Sequence, residues 1–137
     1  LKKYFIVLIS WVFGEHGNNF VKTMLRLGTE RKELNIVVDQ YGSPTYTADL
    51  APLLVEMIKT EKYGIYHATN EGVCNWAEFA EKIFEVAKMD VKVNRITTSE
   101  YPTKAKRPLN SRLSKEKIQK NFYILPKWVD VLKRYIK

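Results

Sequence analysis

The sequence lacks several features that would place a protein in a class at once. It has one cysteine, Cys74, in 137 residues, so no intramolecular disulfide can form, and we expect a reducing compartment such as the cytoplasm. Cys74 itself is expected to be a small buried residue, not a nucleophile. No apolar run approaches the roughly 20 residues of a transmembrane helix, and since the first residues lack the pattern of a signal peptide, we expect none. We therefore expect a globular protein without a membrane partner.

The motifs of a self-contained active site are also missing. No G-x-G-x-x-G or P-loop sequence occurs, and the nearest glycine pair, Gly14 and Gly17, lacks a third glycine. His16 and His67 show no zinc-ligand spacing with Cys74. The sequence alone thus supplies no catalytic residue, no cofactor-binding residue and no metal ligand.

Acidic residues are few relative to basic ones. The chain has 23 Lys and Arg against 15 Asp and Glu, a net charge of +8, with much of the excess in the last third. The charges are spread through apolar helical patterns, which favours solvated helix faces over one binding patch. We expect no nucleic-acid partner, although the charge alone would also suit a nucleic-acid-binding module, the interpretation we favour least.

Strand and helix patterns alternate along the chain, which predicts α/β architecture. The strands are predicted at Tyr4–Ile9, Leu34–Val38, Gly64–Ala68 and Val91–Ile96. Since the first of these reads as a strand buried on both faces, and Leu1 is not a methionine, we expect that coding sequence upstream is missing.

Capping residues predict the helix boundaries. Asn18 or Asn19 begins a helix that Gly28 ends, and Asn75 with Glu78 three residues later forms a capping box. A helix of about Asp49–Thr60 starts no earlier than Thr47 because it contains Pro52. Towards the end of the chain, Ser114 is predicted to cap a short helix and Pro126 to begin the last one.

The segment Asp39–Asp49 is the most informative stretch. It reads Asp-Gln-Tyr-Gly-Ser-Pro-Thr-Tyr-Thr-Ala-Asp, and Gly42 and Pro44 restrict its backbone path. Polar side chains on such a rigid segment can meet a ligand with little ordering cost. The alternative is turn chemistry, with Asp39 and Asp49 as local backbone acceptors, and the residues alone leave both open.

This segment resembles the D-Q-x-G-x-P-T-x-x-x-D-L signature of the dTDP-4-dehydrorhamnose reductase family of extended short-chain dehydrogenases. Further stretches resemble that family in the same order along the chain. They are Tyr4–Gly14, Asn19–Val21, Gly64–His67, Gly72–Phe79, Arg107–Ser111 and Leu125–Trp128.

The resemblance implies a fold and an activity. The chain would be the C-terminal part of a Rossmann-type α/β protein, with the last strands of the parallel sheet and a small substrate-binding lobe in residues 1–137. The absent N-terminal half would bind NADPH or NADH and carry a catalytic Tyr-x-x-x-Lys pair. The full protein would reduce dTDP-4-dehydro-L-rhamnose to dTDP-L-rhamnose, and the chain alone would be inactive.

The resemblance also implies four substrate-binding residues. Trp11 would contact the sugar, since an indole face suits a deoxysugar, and Arg107 would pair with the diphosphate. Asn19 and Gln40 are candidates for polar contacts, and Arg112 could assist Arg107. The alternatives are a core tryptophan at a strand end for Trp11 and surface positions for the two arginines.

One departure from the family pattern favours a second hypothesis. Leu8 and Ile9 stand where the family usually has arginine and threonine. Loss of that arginine removes a polar anchor, so the alternative is a non-catalytic regulatory or partner-binding relative of the same fold.

The isolated chain is predicted to expose apolar strand edges that a missing half would cover, and therefore to self-associate or to be poorly stable. A homodimer of the full protein is also expected. Light scattering and thermal unfolding test the first expectation; a monodisperse monomer that melts cooperatively would contradict it.

Overall fold

The computed structural model of the chain describes residues 3–100, 109–110 and 113–136. Strands and helices alternate, which confirms the predicted α/β class. The strands are β1 (Phe5–Leu8), β2 (Val12–Phe13), β3 (Glu33–Val37), β4 (Tyr41–Gly42), β5 (Thr45–Tyr46), β6 (Gly64–His67), β7 (Asn70–Glu71), β8 (Cys74–Asn75), β9 (Lys92–Ile96) and β10 (Leu125–Lys127). The helices are α1 (Phe20–Glu30), α2 (Thr47–Ile58), α3 (Trp76–Ala87), α4 (Glu116–Asn121) and α5 (Trp128–Tyr135).

The strands join in pairs, most of them parallel. β1 pairs with β6 from Phe5 opposite Gly64 to Leu8 opposite His67, and β3 pairs with β9 over five residues each. β2 with β5 and β7 with β10 are also parallel, whereas β4 and β8 are antiparallel. Parallel partners require long crossovers, which the helices supply.

Local sequence determines where two helices begin. Asn19 precedes α1, and its side chain accepts a hydrogen bond from the backbone N–H of Lys22. Asn75 and Glu78 form the predicted capping box at α3, since each side chain accepts from the other residue's backbone N–H, at 2.8 and 3.0 Å. Each side chain satisfies a backbone donor that the helix itself cannot pair.

Three other predicted boundaries were wrong. Gly28 lies inside α1, which continues to Glu30; a β-carbon there would lie 2.5 Å from Met89 Cε, so glycine permits close packing. Ser114 caps no helix, because α4 begins at Glu116 with Lys115 at its N-cap. Pro126 lies in β10, and α5 begins two residues later.

Helix α2 begins at Thr47, the earliest start that was expected. Pro52 is then its sixth residue, beyond the first turn in which proline is usual. Its buried apolar residues are Leu50, Leu53 and Met57, whereas Ile58 is 71% exposed and Leu54 is also exposed. No helix in the described part of the chain is long and apolar enough to cross a membrane.

Two apolar clusters form the interior. The larger contains Val21 of α1, Ile83 of α3 and Leu132 of α5, all fully buried. The smaller brings Leu53 of α2 against Tyr66 of β6. The larger cluster packs against Trp11, Val38 and Tyr46, and it thereby supports the Asp39–Asp49 segment.

The first strand is buried on one face only, contrary to the prediction. Phe5 and Val7 pack against the smaller cluster, whereas Ile6, Leu8 and Ile65 of the neighbouring strand are exposed. This exposed apolar face agrees with the expectation that the chain alone leaves apolar strand surface uncovered.

Replacing Asn75 by alanine should remove the cap of α3 and lower the free energy of unfolding by about 1–2 kcal/mol. Asn75→Ser, which keeps a neutral side-chain acceptor at the N-cap, should lose much less. Urea denaturation followed by circular dichroism measures both. Equal losses in the two variants would show that the hydrogen bond to Glu78 is not what stabilises the helix start.

Candidate functional site

Trp11 adopts an unusual backbone conformation between β1 and β2. Its φ is 47°, in the left-handed region that residues other than glycine rarely occupy. Flanking hydrogen bonds hold it there: Thr45 N donates to the Trp11 carbonyl at 3.1 Å, and Thr45 Oγ1 donates to the Ser10 carbonyl at 2.7 Å. Such strain persists where the surroundings over-determine the conformation, and it concentrates at functional sites.

The Trp11 ring stacks on a second tryptophan. The ring centroids of Trp11 and Trp76 lie 3.7 Å apart with 15° between the planes. A β-carbon at Gly42 would lie 2.8 Å from Trp11 Cε2, so the indole occupies the space that this glycine leaves free. The Trp11 side chain is half-buried. It therefore packs against the core, as in the core-tryptophan alternative, while part of its surface remains available to a ligand.

Gln40 is 9% exposed, and both ends of its amide are engaged. Its Oε1 accepts from Trp76 Nε1 at 3.2 Å, and its Nε2 donates to Thr98 Oγ1 at 3.2 Å. Thr98 in turn donates to Asp39 Oδ1 from its hydroxyl at 2.6 Å and from its backbone N–H at 2.9 Å. Gln40 thus links the segment to the first residue of α3.

Asn19 supports the loop that follows β2. Besides capping α1 it donates from Nδ2 to the Gly14 carbonyl at 3.0 Å. The Tyr135 hydroxyl donates to the same carbonyl at 2.6 Å and lies 3.4 Å from Asn19 Nδ2. Since both polar atoms of its amide have protein partners, Asn19 holds the backbone near the site.

Two of the three described site candidates, Trp11 and Gln40, contact Trp76 directly. Trp11 stacks on it, Gln40 accepts its N–H, and Phe20, which follows Asn19, packs with its ring centroid 4.6 Å away. Trp76 was not among the predicted site residues. Its position directly after the predicted capping box of α3 was the signal available.

The other two candidates lie outside the described residues. Arg107 and its proposed helper Arg112 are not among the residues whose placement the structure describes. Their roles therefore stay predictions.

The second half of the Asp39–Asp49 segment is anchored by a buried amide. Asn70, 0% exposed, accepts from the Tyr46 backbone N–H at 2.7 Å and donates to Asp49 Oδ2 at 3.0 Å. Arg134 also donates to Asp49, at 2.9 Å and 3.1 Å. Because Asp39 and Asp49 both accept from residues distant in sequence, the interpretation of these aspartates as local turn acceptors was wrong.

Cys74 lies buried beside this segment, in the strand paired with β4. Burial raises the pKa of its thiol well above the ordinary value, and the Glu78 carboxylate raises it further. A thiol in these surroundings stays protonated and is a poor nucleophile. Among the residues that can be described, no three His, Cys, Asp or Glu side chains cluster in a way that could hold a metal ion.

Comparison with known proteins relates this arrangement to a family. The profile of the RmlD substrate binding domain matches residues 1–137. The dTDP-4-dehydrorhamnose reductase of Aggregatibacter actinomycetemcomitans is 49% identical over 144 residues, a match covering 96% of this chain and 49% of that protein. The same-named reductase of Salmonella typhimurium is 42% identical, covering 98% and 49%.

Solved structures agree. The dTDP-4-dehydrorhamnose reductase of Bacillus anthracis, in complex with NADP, superposes with a TM-score of 0.93 at 47% identity, covering 96% of this chain and 47% of that one. An orthologous reductase of Clostridium acetobutylicum gives 0.94 at 44% identity, covering 98% and 48%. The chain thus spans about half the length of the curated relatives it matches. The predicted Rossmann-type fold and family resemblance are confirmed, and the chain belongs to the RmlD substrate binding domain family.

Proposed function

We propose that this chain is the substrate-binding half of an NAD(P)H-dependent dTDP-4-dehydrorhamnose reductase. The observation that carries the proposal is the match along the whole chain, at 42–49% identity, to reductases of that name. The reaction would convert dTDP-4-dehydro-L-rhamnose to dTDP-L-rhamnose in the cytoplasm, a location that suits a protein with a single free cysteine.

The glycine pair after β2 does not fit a dinucleotide cofactor, because Gly17 has open space beside it but Gly14 does not, and no third glycine completes the motif. A diphosphate-binding turn needs open space beside its glycine backbone, but a β-carbon at Gly14 would lie 2.1 Å from Thr47 Oγ1. The Gly14 carbonyl is also taken by Asn19 and Tyr135. In the proposed enzyme the cofactor is therefore bound by the other half, which would also carry the proton-donating tyrosine.

The task of this chain is then to bind and orient the sugar nucleotide. The half-exposed ring of Trp11 offers an apolar face to the deoxysugar. In this proposal Arg107 pairs with the diphosphate, because a guanidinium binds phosphate oxygens through two parallel hydrogen bonds. Asn19 supports the loop that follows β2, and Gln40 supports the Trp76 ring on which Trp11 stacks, through the hydrogen bonds described above.

A non-catalytic relative of the same fold is the second candidate. Leu8 and Ile9, at the positions where the family pattern has arginine and threonine, are 46% and 38% exposed. Apolar side chains there suit contact with a partner surface as well as with another half of the same protein. An intact Tyr-x-x-x-Lys motif in the remainder of the protein would exclude most versions of this candidate.

Trp11→Ala in the full-length protein should raise the KM for the dTDP-sugar roughly tenfold, because the aromatic face that packs against the sugar is lost. Trp11→Phe, which keeps a smaller aromatic face, should raise it less. Oxidation of NADPH followed by its absorbance gives both values. The KM for NADPH should stay unchanged, since its site lies elsewhere; an equal rise in both constants would argue for general misfolding.

The 137-residue chain alone should neither bind NADPH nor oxidise it in the presence of the dTDP-sugar. The full-length protein should do both. Fluorescence titration with NADPH and the absorbance assay distinguish the two proteins. Tight NADPH binding by the chain alone would contradict the assignment of the cofactor to the other half.

A further inference from the structure

We infer that a directed hydrogen-bond chain running from Asp39 to Trp76 positions the indole ring of Trp11. Gln40 serves the site as a link in this chain and not as a direct ligand. The inference deepens the proposed function, but only its statement about the substrate rests on that function.

The direction of the hydrogen-bond chain is set at Asp39. An ionised carboxylate only accepts hydrogen bonds. Both the backbone N–H and the hydroxyl of Thr98 donate to Asp39 Oδ1, at 2.9 and 2.6 Å. The single hydroxyl hydrogen of Thr98 is thereby committed, so the hydroxyl can only accept from its second neighbour, Gln40.

The Gln40 amide then has one favourable orientation. Its Nε2 donates to Thr98 Oγ1 and its Oε1 accepts from Trp76 Nε1, which is a donor only. Flipping the amide would place two donors against each other at Trp76 and two acceptors against each other at Thr98. Because Gln40 is nearly buried, little water is at hand to repair either mismatch.

The fixed orientation of the Gln40 amide restricts the Trp76 ring, and the Trp76 ring in turn restricts the Trp11 ring that stacks on it. The indole N–H bonded to Gln40 restricts rotation of the Trp76 ring about its side-chain torsions. Phe20 packs against the same ring, and Trp11 stacks on it at 3.7 Å. A fixed Trp76 therefore provides a fixed platform for the half-exposed Trp11 ring.

The backbone of Trp11 gives independent support. Its left-handed φ is held by the hydrogen bonds from Thr45 to Trp11 and Ser10. The main chain and the ring of Trp11 are thus constrained by separate sets of contacts. Constraint of this kind lowers the ordering cost of binding, which is what a ligand platform requires.

Thr98→Val in the full-length protein tests the inference, because it removes the hydroxyl at nearly constant shape. Thr98→Ser keeps the hydroxyl. Thr97→Val makes the same chemical change one residue away, at an exposed side chain whose partners among the described residues are Ser99 and Glu100 of its own turn. Trp76→Phe defines the signal of the tryptophan pair, since it keeps an aromatic ring without the indole N–H.

The first measurement is the exciton couplet of the stacked indoles in the ultraviolet circular dichroism spectrum, taken as the difference from Trp76→Phe. Thr98→Val should weaken this couplet and raise the KM for the dTDP-sugar about two- to tenfold, with kcat changed less. Thr98→Ser and Thr97→Val should resemble the wild type. In the Trp76→Phe background, Thr98→Val should add no further rise in KM, because both changes break the same chain.

An unchanged couplet in Thr98→Val would overturn the inference, as would an equal loss in Thr98→Ser, which would assign the effect to packing. If the wild type fails to reduce the dTDP-sugar, the proposed function fails instead. The exciton couplet can be measured without enzyme activity, so it then still decides whether the hydrogen-bond chain positions Trp11.

Discussion

The buried amide of Asn70 is the interaction on which the geometry of the site depends most directly. The strands around it, β5 and β7, have two residues each, too few for their ladders alone to hold the segment. Asn70 instead bonds the Tyr46 backbone, the Asp49 carboxylate and the Pro126 carbonyl at once. Leaving one such buried group unpaired costs about 1–3 kcal/mol, so these elements are held in one arrangement.

With one end of the segment fixed at Asn70 and the other at Thr98, most of its polar side chains bond to the protein itself. Ser43 and Thr45 are buried and bond to backbone carbonyls of other elements. The segment therefore serves less as a row of ligand contacts than as a rigid support. What it supports is the strained backbone and stacked ring of Trp11, a preorganised aromatic surface that would lose little entropy on binding the proposed ligand.

The parts of this arrangement that sequence could predict are those whose partners are near in the chain. The caps at Asn19 and Asn75 were predicted because each bonds a residue three positions on. Gly28 was misassigned because a glycine is required there by close packing against Met89, in the loop between α3 and β9, and not by the end of a helix. The partner of Asp39 lies 59 residues away and those of Asp49 lie 21 and 85 residues away, and no local pattern specifies pairings at such distances. The role of Trp76 was missed for the same reason.

The exposed face of the β1–β6 pair bears on the choice between the two candidate functions. Parallel strands are normally covered on both faces, and here Ile6, Leu8 and Ile65 make one face apolar and open. An arginine at the position of Leu8 would place a charge on this face, whereas leucine extends its apolar surface. The departure at Leu8 thus changes how the face packs against a covering layer. Among the described residues, Leu8 takes no part in the Trp11–Trp76 stack or in its hydrogen bond to Gln40, so the departure leaves the stack intact and does not count against the proposed reductase.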